Sequence, residues 1–387
     1  MNWRFKGNEL KYLKEVLGSG FSAKNCTAMS ERLERAFAEK HGVKYAIAAN
    51  SGTSTLHMAL KAFNIQPGDE VIIPALTVAM CGFAVVHCGA TPVYADVLKD
   101  TFLIDPTDIE RKITAKTKAI MPVHIYGLMC DMGRIKEIAD KYHLYVVEDC
   151  AQCFLAKNAK GQLSGTVGDV GSWSFESSKH MACGEGGIVT TNNDELAKRM
   201  RKFGGLGFTN LTATSGKVRI SKDKFQDPDW KRHDTIGLNY RLSEPCAAIA
   251  LAQLERLPDF VSRRQKMAES YTQIINNTGT KLLVPQKTPS SYEHTYYTYG
   301  ALFMGESYGI SWKDFRKKYV ENGGDGIYSA WQTVNNEPAF ENIGYGVVPI
   351  AEYLQRNLMQ FTTNQKNEQE RRKQADILYH TLSYFRK

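Results

Sequence analysis

Leu144-Tyr145-Val146-Val147-Glu148-Asp149-Cys150-Ala151-Gln152 reads as a short buried strand, Leu144–Val147, that runs straight into two acids. It follows a helical stretch, Met132–Tyr142, so the strand enters from a helix and leaves into polar residues. Such near-continuous apolar strands belong to parallel sheets covered on both faces. An acid at the end of one is costly to bury unless it faces a cation or a protonated ring nitrogen. An Asp helix cap would also account for it; a metal ligand lacks companions.

The same alternation extends outward. Upstream lie a strand at Ala46–Ala49, a helix at Thr53–Phe63, a turn at Pro67-Gly68-Asp69 and a strand at Val71–Ile73. An apolar helix, Thr77–Cys88, is stopped by Gly89; then come a strand at Pro92–Ala95, a helix start at Asp105-Pro106 and a strand at Ala119–Pro122. Downstream are strands at Ser172–Phe175 and Ile188–Thr190. The pattern predicts an α/β fold with a mostly parallel sheet sandwiched by helices and ligands at the carboxyl ends of its strands. The first forty residues read as helical, with helical spacing over Met29–Lys40. Lys217–Asp234 reads as an exposed charged loop, Glu244–Leu257 as a strong helix leading to a second domain, and KNEQERRKQ near the C-terminus as a solvated helix face. The expected division is a large domain over 1–257 and a smaller α+β domain over 258–387.

The formal net charge of +8 is spread along 387 residues, which fits an anionic small ligand at least as well as nucleic acid. No leader is read at the N-terminus, and the longest apolar region, Val71–Tyr94, is too broken by Pro74, His87 and Gly89 to span a membrane. Of the eight cysteines, which include Cys26, most lie in apolar segments, which suggests buried free thiols in a reducing compartment, the cytoplasm. Cys150 and Cys153 form a CxxC without a second ligand pair, so no metal site is read there.

Two other strand ends carry chemistry. Asn50-Ser51-Gly52-Thr53-Ser54 opens a helix and is either an anion site or an ordinary N-cap. Glu176-Ser177-Ser178-Lys179, before Gly184-Glu185-Gly186-Gly187, puts a lysine just past a strand, where it is either a Schiff-base amine or a surface lysine in a turn. The GEGG run lacks dinucleotide-fingerprint spacing, which argues against an NAD enzyme. In chain order these are a phosphate loop, an acid and a lysine, the constellation that pyridoxal 5′-phosphate (PLP) requires.

The segments NSGTSTLHMAL, PGDEVIIPALT, GATPVYADV, TKAIMPVHIYG, VVEDCAQ, GDVGSWSFESSKHMACGEGG and GLNYRLSEPCAAIALAQLERL together resemble the DegT/DnrJ/EryC1/StrS sugar aminotransferases, of the aspartate-aminotransferase fold (fold type I). The resemblance covers about Tyr45 to Leu257 and more loosely the rest. It implies Lys179 as the PLP-bearing lysine and Asp149 as the acid on the pyridine nitrogen. It implies Gln152 against the cofactor ring, and Gly52, Thr53 and Ser174 on the phosphate. It implies Asn239 reaching the neighbouring subunit's phosphate, hence a homodimer with shared active sites. The implied reaction moves an amino group from glutamate or glutamine to a keto sugar, nucleotide-linked, in amino-sugar, surface-polysaccharide or natural-product biosynthesis. Departures lie on the substrate side. Val78 stands where the family has an aromatic ring on the cofactor, Phe203-Gly204-Gly205-Leu206-Gly207 where it has a His-Gly pair, and GGDGIYSAWQTVNNEP, with Tyr328 and Trp331, where it has a His-containing segment. Arg241, Tyr328 and Trp331 are the candidate substrate contacts. Rival readings are an aminocyclitol or amino-aromatic synthase, a non-catalytic PLP-binding regulator, and a sugar dehydratase, whose relatives carry His where Lys179 stands.

Overall fold

The computed structural model describes residues 2–20, 28–216 and 220–386. Cys26 and Lys217 lie outside them. The main sheet has seven strands: β1 (Tyr45–Ala49), β2 (Glu70–Pro74), β3 (Thr91–Ala95), β4 (Thr117–Ile120), β5 (Tyr145–Asp149), β6 (Val170–Ser174) and β7 (Gly187–Thr191), in the order β1-β7-β6-β5-β4-β2-β3. β2 to β6 pair in parallel, whereas β7 runs antiparallel to both β6 and β1. β1, β5 and β6 therefore end at the same edge.

The helices are α1 (Glu9–Gly18), α2 (Met29–His41), α3 (Gly52–Ala62), α4 (Met80–His87), α5 (Pro106–Arg111), α6 (Met132–Tyr142), α7 (Asp194–Gly204), α8 (Lys222–Gln226), α9 (Glu244–Glu255), α10 (Leu257–Thr278), α11 (Trp312–Glu321), α12 (Pro349–Asn357) and α13 (Glu368–Tyr384). Their apolar spacing explains their placement. Met29, Leu33 and Phe37 recur every fourth residue on α2 and pack with Trp173, Phe175 and Leu254 on one side of the sheet. Leu56, Val71, Val85, Ile120, Ile135 and Val146 belong to the larger core cluster. Asp131 caps α6 and His143 ends it in the left-handed region.

A second, antiparallel sheet contains β8 (Leu283–Pro285), β9 (Tyr299–Phe303), β10 (Ile327–Ser329) and β11 (Leu358–Phe361), in the order β10-β11-β9-β8. Its core joins Tyr299 and Phe361 to Tyr271 of α10, Phe315 of α11 and Leu378 of α13. α10 contributes Leu257 and Val261 to the core around Trp173 and Met267 and Tyr271 to this one. The segment after β10 folds back over β2, where Val334 N donates to Ala75 O at 3.0 Å and Phe340 stacks on Phe83. Asp96, just past β3, accepts from Ile350 N and Ala351 N at the start of α12.

Several boundaries differ from the sequence reading. The strand expected at Leu144–Val147 runs over Tyr145–Asp149, so both acids belong to it. The helix expected from Thr77 begins at Met80, because Thr77 N bonds back to Ala75 O in a tight turn. The helix expected over Glu244–Leu257 ends at Glu255; Arg256 leaves helical geometry and Pro258 starts α10. The expected loop Lys217–Asp234 contains α8, capped by Ser221. Among the described residues no helix is long and apolar enough to cross a membrane.

Gly165 has φ +77°, and a Cβ there would lie 2.2 Å from the Trp173 ring. Gly161 has a similar φ of +75° but open space around it. Gly161→Ala should therefore cost about 1 kcal/mol, the backbone term alone. Gly165→Ala should cost at least ~2 kcal/mol more, from displacing a buried ring. Denaturant titration of the two variants separates these terms.

Candidate active site

Three strand ends meet at one edge of the main sheet. Past β1, Ser51 caps α3, with its Oγ accepting from Ser54 N at 3.0 Å, while Ser54 Oγ donates to Asn50 Oδ1 at 2.7 Å. The N-cap reading is thus correct in itself, and it leaves the N–H groups of the first turn directed outward as an anion site requires. A Cβ on Gly52 would lie 2.7 Å from Ser174 Cβ, so the start of α3 and the end of β6 touch at the one residue without a side chain. Thr53 is half-buried and its hydroxyl has no partner among the described residues. One turn on, Thr55 Oγ1 and Ser172 Oγ are 2.7 Å apart, and Ser172 pairs with Asp149 across β5 and β6.

The two acids of β5 point to opposite faces, as strand alternation demands. Glu148 is fully buried and accepts from Gly165 N (2.9 Å), Val167 N (2.7 Å), Gly168 N (2.6 Å) and His124 Nε2 (2.8 Å). Cys130 N donates to His124 Nδ1, so Nε2 is the nitrogen that carries hydrogen. Burial pushes the Glu148 carboxyl up, but His124 and the backbone donors outweigh it and hold the group below its ordinary value. His124, Glu148 and Cys150 place potential ligand atoms within 4.8 Å of one another, yet the His and Glu atoms are already spent on each other. Burial pushes the Cys150 and Cys153 thiols up, in keeping with two apolar side chains.

Asp149 is different. It is 3% exposed, its Oδ1 accepts from Ala151 N at 2.9 Å and its Oδ2 from Cys81 Sγ at 3.2 Å. No cation among the described residues lies within ion-pair distance of it. A buried carboxylate held only by a peptide N–H and a thiol has unspent accepting capacity. Gln152, also buried, accepts from Tyr126 N through Oε1 at 2.8 Å; no described residue accepts from its Nε2. Tyr126 sits at φ 63°, a costly conformation for a non-glycine residue, and this bond helps to hold it there.

Lys179 closes a turn onto Glu176 O, and its Nζ lies 4.8 Å from the centre of the Tyr297 ring. The loop is clamped from outside. Arg4 donates to Ser177 O (2.6 Å), Lys179 O (2.5 Å) and His180 O (3.3 Å); Arg264 donates to Ser178 O (3.2 Å) and Tyr297 O (2.6 Å). Tyr297 OH and Ser178 Oγ are 2.8 Å apart. His180 points into the core, with Nε2 on Thr295 O at 2.9 Å and Nδ1 buried without a partner. Burial, then the charge of Arg264, lowers its pKa well below the ordinary value, so it is neutral.

Asn239 is exposed beside the phosphate-loop candidate: its carbonyl lies 3.5 Å from Asn50 Nδ2 and its Oδ1 accepts from Arg241 Nε. Arg241 bridges to Ala49 at the end of β1. Ile236 and Leu238 in the same segment are exposed, Ile236 almost completely. Tyr328 and Trp331 are exposed and make no hydrogen bond or ring contact with the residues above. Val78 is half-buried against the core, so no aromatic ring stands at that position. Sequence reading missed Cys81, Tyr126, Arg4, Arg264 and Tyr297. Only Tyr126, inside the matched segment TKAIMPVHIYG, lay within a visible signal; Cys81 lies four residues past PGDEVIIPALT.

A model of the DegT/DnrJ/EryC1/StrS aminotransferase family matches residues 4–374. The chain belongs to this family. It is a PLP-dependent aminotransferase, as the constellation of loop, acid and lysine implied. It is 40% identical over 291 residues to a GDP-perosamine synthase of Escherichia coli O157:H7, covering 75% of this chain and 74% of that one. It is 35% identical over 300 residues to an L-glutamine:2-deoxy-scyllo-inosose aminotransferase of Streptomyces kanamyceticus, covering 76% and 67%. Among solved structures, an aminotransferase from Psychrobacter cryohalolentis superposes with a TM-score of 0.89 at 30% identity, over 98% of this chain and 97% of that one.

The environment of Glu148 sets an acid limit on stability. Its carboxyl is held low in the fold, so the stability it contributes is present above the unfolded-state value near 4.5 and is lost as pH falls through the lower folded value. Glu148→Ala, which strands His124 and three N–H groups, should destabilise by about 3–5 kcal/mol at neutral pH. It should also flatten the fall in stability below pH ~4.5, measured by chemical denaturation across the acid range.

Proposed function

We propose that this aminotransferase moves the amino group of glutamate or glutamine onto a keto sugar carried by a nucleotide. The observation that carries the reading is the buried Asp149 carboxylate, left without a cation among the described residues at the end of β5, on the same edge as Lys179. Its relatives support the substrate class: one is named for a GDP-linked amino sugar.

The residues present fit PLP. Asp149 has accepting capacity for a protonated pyridine nitrogen, and the close approach of Gly52 to Ser174 leaves backbone N–H groups free for a phosphate. When bound, PLP supplies an aldehyde that binds amines and a ring that takes up electron density. In this reading Lys179 would hold that aldehyde until the donor amine takes its place, and the freed Lys179 amine would then move the proton at the amino-bearing carbon, as general base and then acid. Asp149 holds the proton on the ring nitrogen. Gly52, Thr53 and Ser174 would hold the phosphate, and Gln152 would contact the cofactor with its free Nε2. Arg4 and Arg264 hold the loop that aims Lys179. Arg241 would meet an anionic substrate group, with Tyr328 and Trp331 at the sugar.

We further propose a homodimer in which Asn239 reaches the partner's phosphate site; the exposed Ile236 and Leu238 beside it support a covering surface there. The division near residue 257 is supported by α10 feeding two cores. The cytoplasm is proposed on seven free cysteines among the described residues. A second reading, amination of a carbocycle, is favoured by the Streptomyces relative. The dehydratase reading needs a histidine at position 179, whereas Lys179 stands there and His180 faces the core.

The purified protein should show a visible absorbance band that moves to the near-ultraviolet on adding glutamate or glutamine. Lys179→Ala should lose both the band and turnover. Turnover retained without the band would overturn the role of Lys179, and a band that ignores both donors would overturn the proposed half-reaction. Sedimentation at micromolar concentration should give a dimer; an active monomer would rule out shared sites.

A further inference from the structure

Val78, two residues before α4, stands where the family carries a ring, but the first turn of that helix supplies a different contact. Cys81 is completely buried, and its Sγ lies 3.2 Å from Asp149 Oδ2. Behind it, Thr77 Oγ1 lies 3.6 Å from the same sulfur, one helical turn earlier in the chain. The other carboxylate oxygen, Oδ1, is held by Ala151 N at 2.9 Å.

We propose that Cys81 is a positioning residue for the cofactor: its S–H anchors Oδ2 of Asp149, so that the carboxylate is fixed for the pyridine nitrogen without being neutralised. The inference rests on the reading of Asp149 as the acid that meets that nitrogen. Each carboxylate oxygen has one donor, so rotation of the group breaks one bond or the other. Each oxygen also has a second acceptor site. A thiol is a weak donor and draws little charge from the oxygen it holds, whereas an arginine or lysine would spend the charge that the ring requires. Burial, and then the adjacent carboxylate, pushes the Cys81 thiol well above its ordinary value, so the sulfur keeps its hydrogen and can donate. With no accessible surface, this cysteine is shielded from oxidants and alkylating reagents.

The test compares two cofactors. PLP and its 1-deaza analogue, in which the ring nitrogen is replaced by carbon, are titrated into apoprotein and their dissociation constants measured by fluorescence. Wild type should prefer PLP. Cys81→Ala should weaken PLP roughly fivefold while leaving deaza-PLP unchanged, since only the ring nitrogen feels the carboxylate. Cys81→Ser, which restores a donor, should recover most of the preference. If Cys81→Ala does not fold, Cys81→Val fills the space without a donor and must show the same selective loss. Equal weakening of both cofactors would make Cys81 a packing residue and overturn the inference. So would an unchanged preference for PLP. A wild type that binds both cofactors equally would overturn the reading of Asp149 itself.

Discussion

Everything at this site depends on how one strand disposes of two neighbouring carboxylates. Two charges cannot be buried side by side unless each has its own compensation. The alternation of β5 supplies this by turning Glu148 and Asp149 to opposite faces. Glu148 receives four donors and becomes a closed structural unit that ties β5 to the 165–168 turn and to His124. Asp149 receives two, one of them only a thiol, and stays open. The chain thus spends one acid on its own fold and leaves the other with accepting capacity to spare.

Much of this was legible in the sequence because it is local. Apolar strand periodicity, the Gly89 stop, the Ser51 cap and the order of loop, acid and lysine are written in consecutive residues, and local chemistry enforces them. The division of labour between Glu148 and Asp149 was not legible, because it depends on where the strand ends. Placing the strand at Leu144–Val147 put both acids in a loop, where alternation carries no information. The break at Arg256 was hidden by apolar residues on either side of it. α8 was masked by its own charge, since a short exposed helix has no apolar stripe to reveal it.

The clamp on the lysine loop was illegible for another reason. Arg4, Arg264 and Tyr297 are ordinary residues, and nothing in their neighbours marks them. They matter only because the fold brings the N-terminal segment, α10 and the turn before β9 to one carbonyl-rich loop. Backbone carbonyls carry no sequence signature, so an arginine that binds three of them leaves no motif. Tyr328 and Trp331 show the converse. Their position in an unusual segment drew attention, but they stand in solvent, on a stretch whose neighbours Val334 and Phe340 dock on β2 and α4.

The Arg4 clamp also has a consequence for how the molecule is made. Arg4 is made before the loop it clamps, since its partners lie 173 to 176 positions later in the chain. The second clamp, Arg264, and the ring under the lysine at Tyr297 arrive later still. A nascent chain that already holds Arg4 and Lys179 therefore has this loop clamped from one side only until α10 and Tyr297 have emerged. The loop is held on both sides only once Tyr297 has been made.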